Sequence, residues 1–99
     1  MARYQHGRMK KMKKQNYLIT AETGIHARPA TLLVNKAGQY TSEINLTYKD
    51  KTVNLKSIMG VMSLGISNGA EITIKANGQD GEQALKEIEE VMRAEKIIS

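Results

Sequence analysis

The spacing of apolar and polar positions changes repeatedly along this chain, and each change marks an element. Tyr17-Leu18-Ile19-Thr20-Ala21 is a short β-prone run that ends at the loop signal Glu22-Thr23-Gly24. From Ala27 to Gln39 the apolar residues Ala30, Leu33, Val34 and Ala37 recur at helical spacing and predict an amphipathic helix. Over Glu43 to Tyr48, alternation puts Ile44, Leu46 and Tyr48 on one side of a strand. Lys49-Asp50 reads as a tight turn, with Lys51 to Leu55 returning as the second strand of a hairpin. Ser57 holds an N-cap position ahead of a short methionine-rich segment that reaches Leu64. Past the loop Gly65 to Gly69, the segment Glu71 to Asn77 alternates Ile72, Ile74 and Ala76 until Asn77-Gly78 breaks it. Asp80 stands where it can cap a last helix, whose apolar set Ala84, Leu85, Ile88, Val91 and Met92 follows the 3.6-residue period.

The resulting order is β-α-β-β-α-β-α. Strands with one apolar and one polar side favour antiparallel pairing, with one sheet face covered and the other wet. The prediction is an α+β fold, an open-faced β-sandwich in which a four-stranded antiparallel sheet carries three helices on one face. Ninety-nine residues without an internal repeat or linker suit one domain with a single core.

Charge divides the chain unevenly. Residues 1–14 hold six basic residues and no acidic one, whereas residues 15–99 hold nine basic against ten acidic. The formal net charge of +5 therefore belongs to the N-terminal extension. That extension, residues 1–14, is expected to be disordered or loosely helical, or to reflect an upstream start-site error or an expression remnant, with Met9 or Met12 as the true start. The domain is placed at residues 15–99. A small nucleic-acid-binding module that uses the basic tail is the alternative from another class. It predicts a basic face and stacking aromatics within the domain, where the charge is slightly negative and Phe and Trp are absent.

The chain has no cysteine and two histidines, His6 and His26, so neither a thiolate site nor a histidine cluster is available to a metal. No metal and no cofactor is expected. No apolar run approaches the roughly 20 residues of a membrane span, which points to a cytoplasmic protein without membrane insertion.

The most informative chemistry lies in Gly24-Ile25-His26-Ala27-Arg28-Pro29. An imidazole sits beside a guanidinium where a loop turns into a helix. The unpaired N–H groups of a first helical turn and the helix dipole make such a junction an anion site. Pro29 fits a first turn, because its φ is already helical and its missing N–H would have had no partner there. An isolated histidine at a helix start is more often a cap or a solvated residue, so a second segment matters. That segment is Asn54-Leu55-Lys56-Ser57-Ile58-Met59-Gly60-Val61-Met62-Ser63-Leu64. A helix this short cannot bury Ile58, Met59 and Met62 together, and exposed methionines make an adaptable docking surface.

Taken together, the two segments resemble the histidine-containing phosphocarrier (HPr) family of the bacterial phosphoenolpyruvate-dependent sugar phosphotransferase system, in its Gram-positive-like form. The resemblance covers about residues 15–99, and the basic extension is the departure from it. It implies that His26 accepts a phosphoryl group, through Nδ1, from phosphorylated enzyme I and passes it to sugar-specific enzyme II components, chiefly their A components. Arg28 and the backbone N–H groups of Ala27 and Arg28 would stabilise the anion, and Ile58, Met59 and Met62 would dock partners. Ser57 matches the site used by HPr kinase/phosphorylase, whose product serves in the family as corepressor for a catabolite-control transcription factor. The same resemblance implies a carrier rather than an enzyme, with catalysis supplied by its partners, no direct nucleic-acid contact, and a monomer. Regulatory relatives keep the serine segment but lack the histidine, and His26 argues against that branch.

Overall fold

The computed structural model describes residues 12–99. Its elements are β1 (Met12–Leu18), α1 (Ala27–Ala37), β2 (Glu43–Tyr48), β3 (Lys51–Asn54), α2 (Ile58–Ser63), β4 (Glu71–Asn77) and α3 (Gly81–Ala94). The four strands form one antiparallel sheet in the order β1-β4-β2-β3. The expected element order, fold class and sheet are therefore observed.

Register explains why one face is covered. Tyr17, Ile72 and Tyr48 stand side by side across β1, β4 and β2, and Ile74 and Leu46 share the next row of that face. Ile44, Leu46, Ile72, Ile74 and Ala76 are all buried, whereas the intervening residues Glu43, Glu71, Lys75 and Asn77 are exposed. Each fully buried Ile or Leu of this set is worth about 1.5–3 kcal/mol. The helices supply the opposing layer. α3 buries Ala84, Ile88 and Met92 at the predicted spacing, and α1 buries Pro29, Ala30, Leu33 and Ala37. The shorter α2 buries Val61 alone and packs against α1 and β3.

Two expectations are corrected by long-range partners. The first strand does not span Tyr17 to Ala21 but runs from Met12 to Leu18, so Met12, Lys13 and Lys14 belong to the sheet and not to a loose tail. The reason is length matching: β4 runs to Asn77, and its far end pairs with Met12, Lys13 and Lys14. Only Tyr17 of β1 is buried, so these residues join through backbone hydrogen bonds, which leave no apolar period to read. Met1 to Lys11, and the expectations attached to them, lie outside the described residues.

The second correction concerns Asp80. It occupies the N-cap position of α3, but its side chain makes no cap hydrogen bond. Its carboxylate instead accepts the backbone N–H groups of Thr41 and Ser42, at 2.8 and 2.9 Å, and both of their hydroxyls. Ser42, a buried polar residue, obtains its partner in this way. The arrangement ties the loop after α1 to the start of α3. With these four donors facing it, the Asp80 carboxyl is held down at about 2.

Candidate functional site

His26 is the N-cap residue of α1. Its carbonyl accepts the Ala30 N–H at 2.9 Å and so starts the helix, while its side chain makes no cap hydrogen bond and is exposed. The N–H groups of Ala27 and Arg28 belong to the first turn, where no earlier helical carbonyl can accept them. Ala27 and Arg28 are exposed with His26, whereas Pro29 and Ala30 turn into the core. α1 carries no acidic residue in its first turn, so the positive end of the dipole is not neutralised locally. Among the described residues, the ion pairs are Lys36–Glu87 and Arg93–Glu89, and Arg28 enters neither. Imidazole, guanidinium and two backbone donors thus share one solvent-facing helix start.

The loop before His26 is held from two sides. Beyond β1, the Ile19 N–H donates to the Ala70 carbonyl at 2.8 Å, and the Gly69 N–H donates to the Ile19 carbonyl at 2.8 Å. The N–H groups of Thr20 and Ala21 both donate to the Ile97 carbonyl, at 2.9 and 3.2 Å. Ile97 reaches that place because Lys96 takes a left-handed φ of 59°, which folds the chain back after α3. Gly24 closes the turn with its N–H on the Ala21 carbonyl at 3.0 Å, and the Ile25 N–H donates to the Ile66 carbonyl at 3.0 Å. Gly24 has φ +69°, and a Cβ there would lie 2.7 Å from the Ser67 Cα and strike the Ile66 carbonyl oxygen. Glycine is therefore required by both conformation and space.

The Ser57 segment meets the same loop. Ser57 caps α2, its Oγ accepting the Gly60 N–H at 3.1 Å, and it is partly exposed. Ile58, Met59 and Met62 are 38%, 79% and 41% exposed, so three of the four apolar side chains of α2 face outward and Val61 alone is buried. The chain leaving α2 runs directly into Ile66, the residue that accepts the Ile25 N–H one position before His26. The two motifs are thereby joined through one short loop. Sequence reasoning missed Ile66, Asn68 and Ile97 as supports of that loop. Asn68 lies within the loop read from Gly65 to Gly69, and nothing local distinguishes a side chain that bonds a segment 47 and 48 positions away.

A family model described as the PTS HPr component phosphorylation site matches residues 13–94. The chain belongs to the HPr family. It is similar to the histidine-containing phosphocarrier protein of a Mycoplasma, at 41% identity over 88% of this chain and 99% of that one, with a TM-score of 0.86. The HPr of Bacillus anthracis is 40% identical over 81% of this chain and 95% of its own, with a TM-score of 0.76. Bacillus subtilis Crh, described as a catabolite-repression protein that forms a swapped dimer, is 40% identical over 86% of this chain and 97% of its own, with a TM-score of 0.66. As an HPr-family member, the chain is a phosphocarrier of the phosphotransferase system, a role that implies system partners such as enzyme I and enzyme II. Among the described residues, no helix is long and apolar enough to cross a membrane, and no group of three or more His, Asp or Glu side chains could hold a metal ion.

Proposed function

We propose that His26 is the phosphoryl acceptor of this HPr-family chain. The observation that carries the proposal is an exposed imidazole at the N-cap of α1, uncommitted to capping, beside the first-turn N–H groups of Ala27 and Arg28, which no earlier helical carbonyl can accept. The neutral imidazole uses a ring-nitrogen lone pair, at Nδ1 in the family, to attack the phosphorus carried by phosphorylated enzyme I. A P–N bond forms on His26 as the bond from phosphorus to the donor breaks, and the donor's leaving group keeps that electron pair. The same step in reverse sense delivers the group to an enzyme II A component. The helix start and the Arg28 guanidinium stabilise the anion while it is carried. An exposed site with one arginine holds it weakly enough to release it, so partners supply the catalysis.

Ile58, Met59 and Met62 form the surface on which partners dock. Ser57 is the regulatory site for HPr kinase/phosphorylase, and its phosphorylated form is the species that binds a catabolite-control transcription factor. A phosphate there adds about two negative charges at a helix N-terminus, where the dipole tolerates them and the fold survives. Those charges oppose acidic partners across the neighbouring apolar surface. The chain acts as a cytoplasmic monomer, because His26 must face several partners in turn.

The test is incubation with phosphoenolpyruvate and enzyme I, read by intact mass. Wild type is expected to gain one acid-labile phosphoryl group that His26→Ala does not gain. No transfer to correctly folded wild type would overturn the assignment.

A further inference from the structure

The loop from Ile19 to Ile25 positions His26, and one exposed side chain grips it where the backbone alone does not. The Asn68 side-chain amide donates to the Thr20 carbonyl and to the Ala21 carbonyl, each at 3.1 Å. Both partners are pure acceptors, so the chemistry requires the nitrogen, not the oxygen, of Asn68 to face them. The Ala21 carbonyl also receives the Gly24 N–H at 3.0 Å, so it is the pivot of the turn that leads to His26. Backbone hydrogen bonds hold the two ends of this loop, at Ile19 and at Ile25, and Ile97 holds the N–H side of Thr20 and Ala21. On the carbonyl side, Asn68 holds Thr20 and shares Ala21 with the Gly24 N–H.

We propose that Asn68 is a positioning residue for phosphoryl transfer at His26, fixing the Ala21 pivot and through it the approach of the imidazole to the donor phosphorus. The inference rests on His26 being the acceptor. Asn68 is exposed and anchors no core residue, so its loss loosens the loop without unfolding the domain. In-line transfer between two proteins depends on the orientation of the attacking nitrogen, so a looser pivot lowers turnover rather than docking.

The experiment compares wild type, Asn68→Ala, Asn68→Asp, Asn68→Gln and His26→Ala with phosphoenolpyruvate-charged enzyme I as donor. Thermal midpoints and the histidine ring NMR signals of the unphosphorylated chains are recorded alongside. Asn68→Ala removes both amide hydrogen bonds to the loop and is expected to lower kcat by about five- to tenfold, with the KM for the chain unchanged. Asn68→Asp sets carboxylate oxygens against two carbonyls and is expected to be at least as slow, while Asn68→Gln recovers part of the rate. The His26 ring signals move in Asn68→Ala, and the melting temperature stays at the wild-type value. Wild-type kcat in Asn68→Ala, a rise in KM alone, or a rate loss that tracks a loss of melting temperature would each overturn the proposal. Failure of wild type to gain any phosphoryl group would refute the His26 assignment itself, and the inference with it. That outcome differs from one in which wild type and Asn68→Ala are phosphorylated equally.

Discussion

Asp80 and Ser42 are joined twice: the Asp80 carboxylate accepts both the Ser42 backbone N–H, at 2.9 Å, and the Ser42 hydroxyl. Folding thus favours the ionised form of Asp80, whose carboxyl falls from 3.8 to about 2. A depressed carboxyl contributes stability that is complete above its unfolded value and is lost as pH falls through the folded one. Wild type is therefore expected to lose melting temperature between about pH 4 and pH 2, with a shallower loss in Asp80→Asn. The difference between the two should close below pH 2, and equal slopes across that window would refute the linkage.

Gly24→Ala tests the turn before His26. The substitution places a Cβ at a residue with φ +69°, against the Ile66 carbonyl and the Ser67 Cα. Left-handed strain and the collision together are expected to cost about 2–4 kcal/mol. Urea unfolding measures the loss, and a cost under about 0.5 kcal/mol would show that the turn adapts freely.

Ser57 variants separate capping from regulation. Ser57→Ala removes the acceptor of the Gly60 N–H and is expected to cost about 1 kcal/mol. Ser57→Asp keeps a capping oxygen and adds charge at the helix start, so its stability should stay near wild type. Its transfer from enzyme I should nevertheless slow, read as a higher KM for the chain. Unfolding curves and initial rates together decide this, and wild-type transfer by Ser57→Asp would separate the serine from donor binding.

Met59 is 79% exposed, so changing it should leave the fold alone. Met59→Glu is expected to change stability by no more than about 0.5 kcal/mol. At an interface core a buried charge costs about 2 kcal/mol or more, equivalent to a rise of about thirtyfold or more in the KM for enzyme I transfer. An unchanged KM would remove Met59 from the docking surface.

Much of the site could be read from the chain because its geometry is local. His26 at a helix start, Pro29 in the first turn and Ser57 as a cap depend on neighbours within four positions, which are visible in the order of residues. The outward methionines followed from α2 being too short to bury them.

The sequence by itself determined the strands and helices whose apolar residues repeat with a clear period, and hence the α+β class. It also placed the two motifs at helix starts, since capping and periodicity are short-range effects. Tertiary structure alone decided where β1 begins, because Met12 to Lys14 are held by backbone pairing with β4 and carry no apolar signal. Only the folded chain could turn the Asp80 carboxylate away from its own helix to Thr41 and Ser42, or bring Asn68 and Ile97 to the loop before His26. Those partners lie tens of residues apart, and a polar side chain chooses among distant donors and acceptors only after the core has brought them within reach.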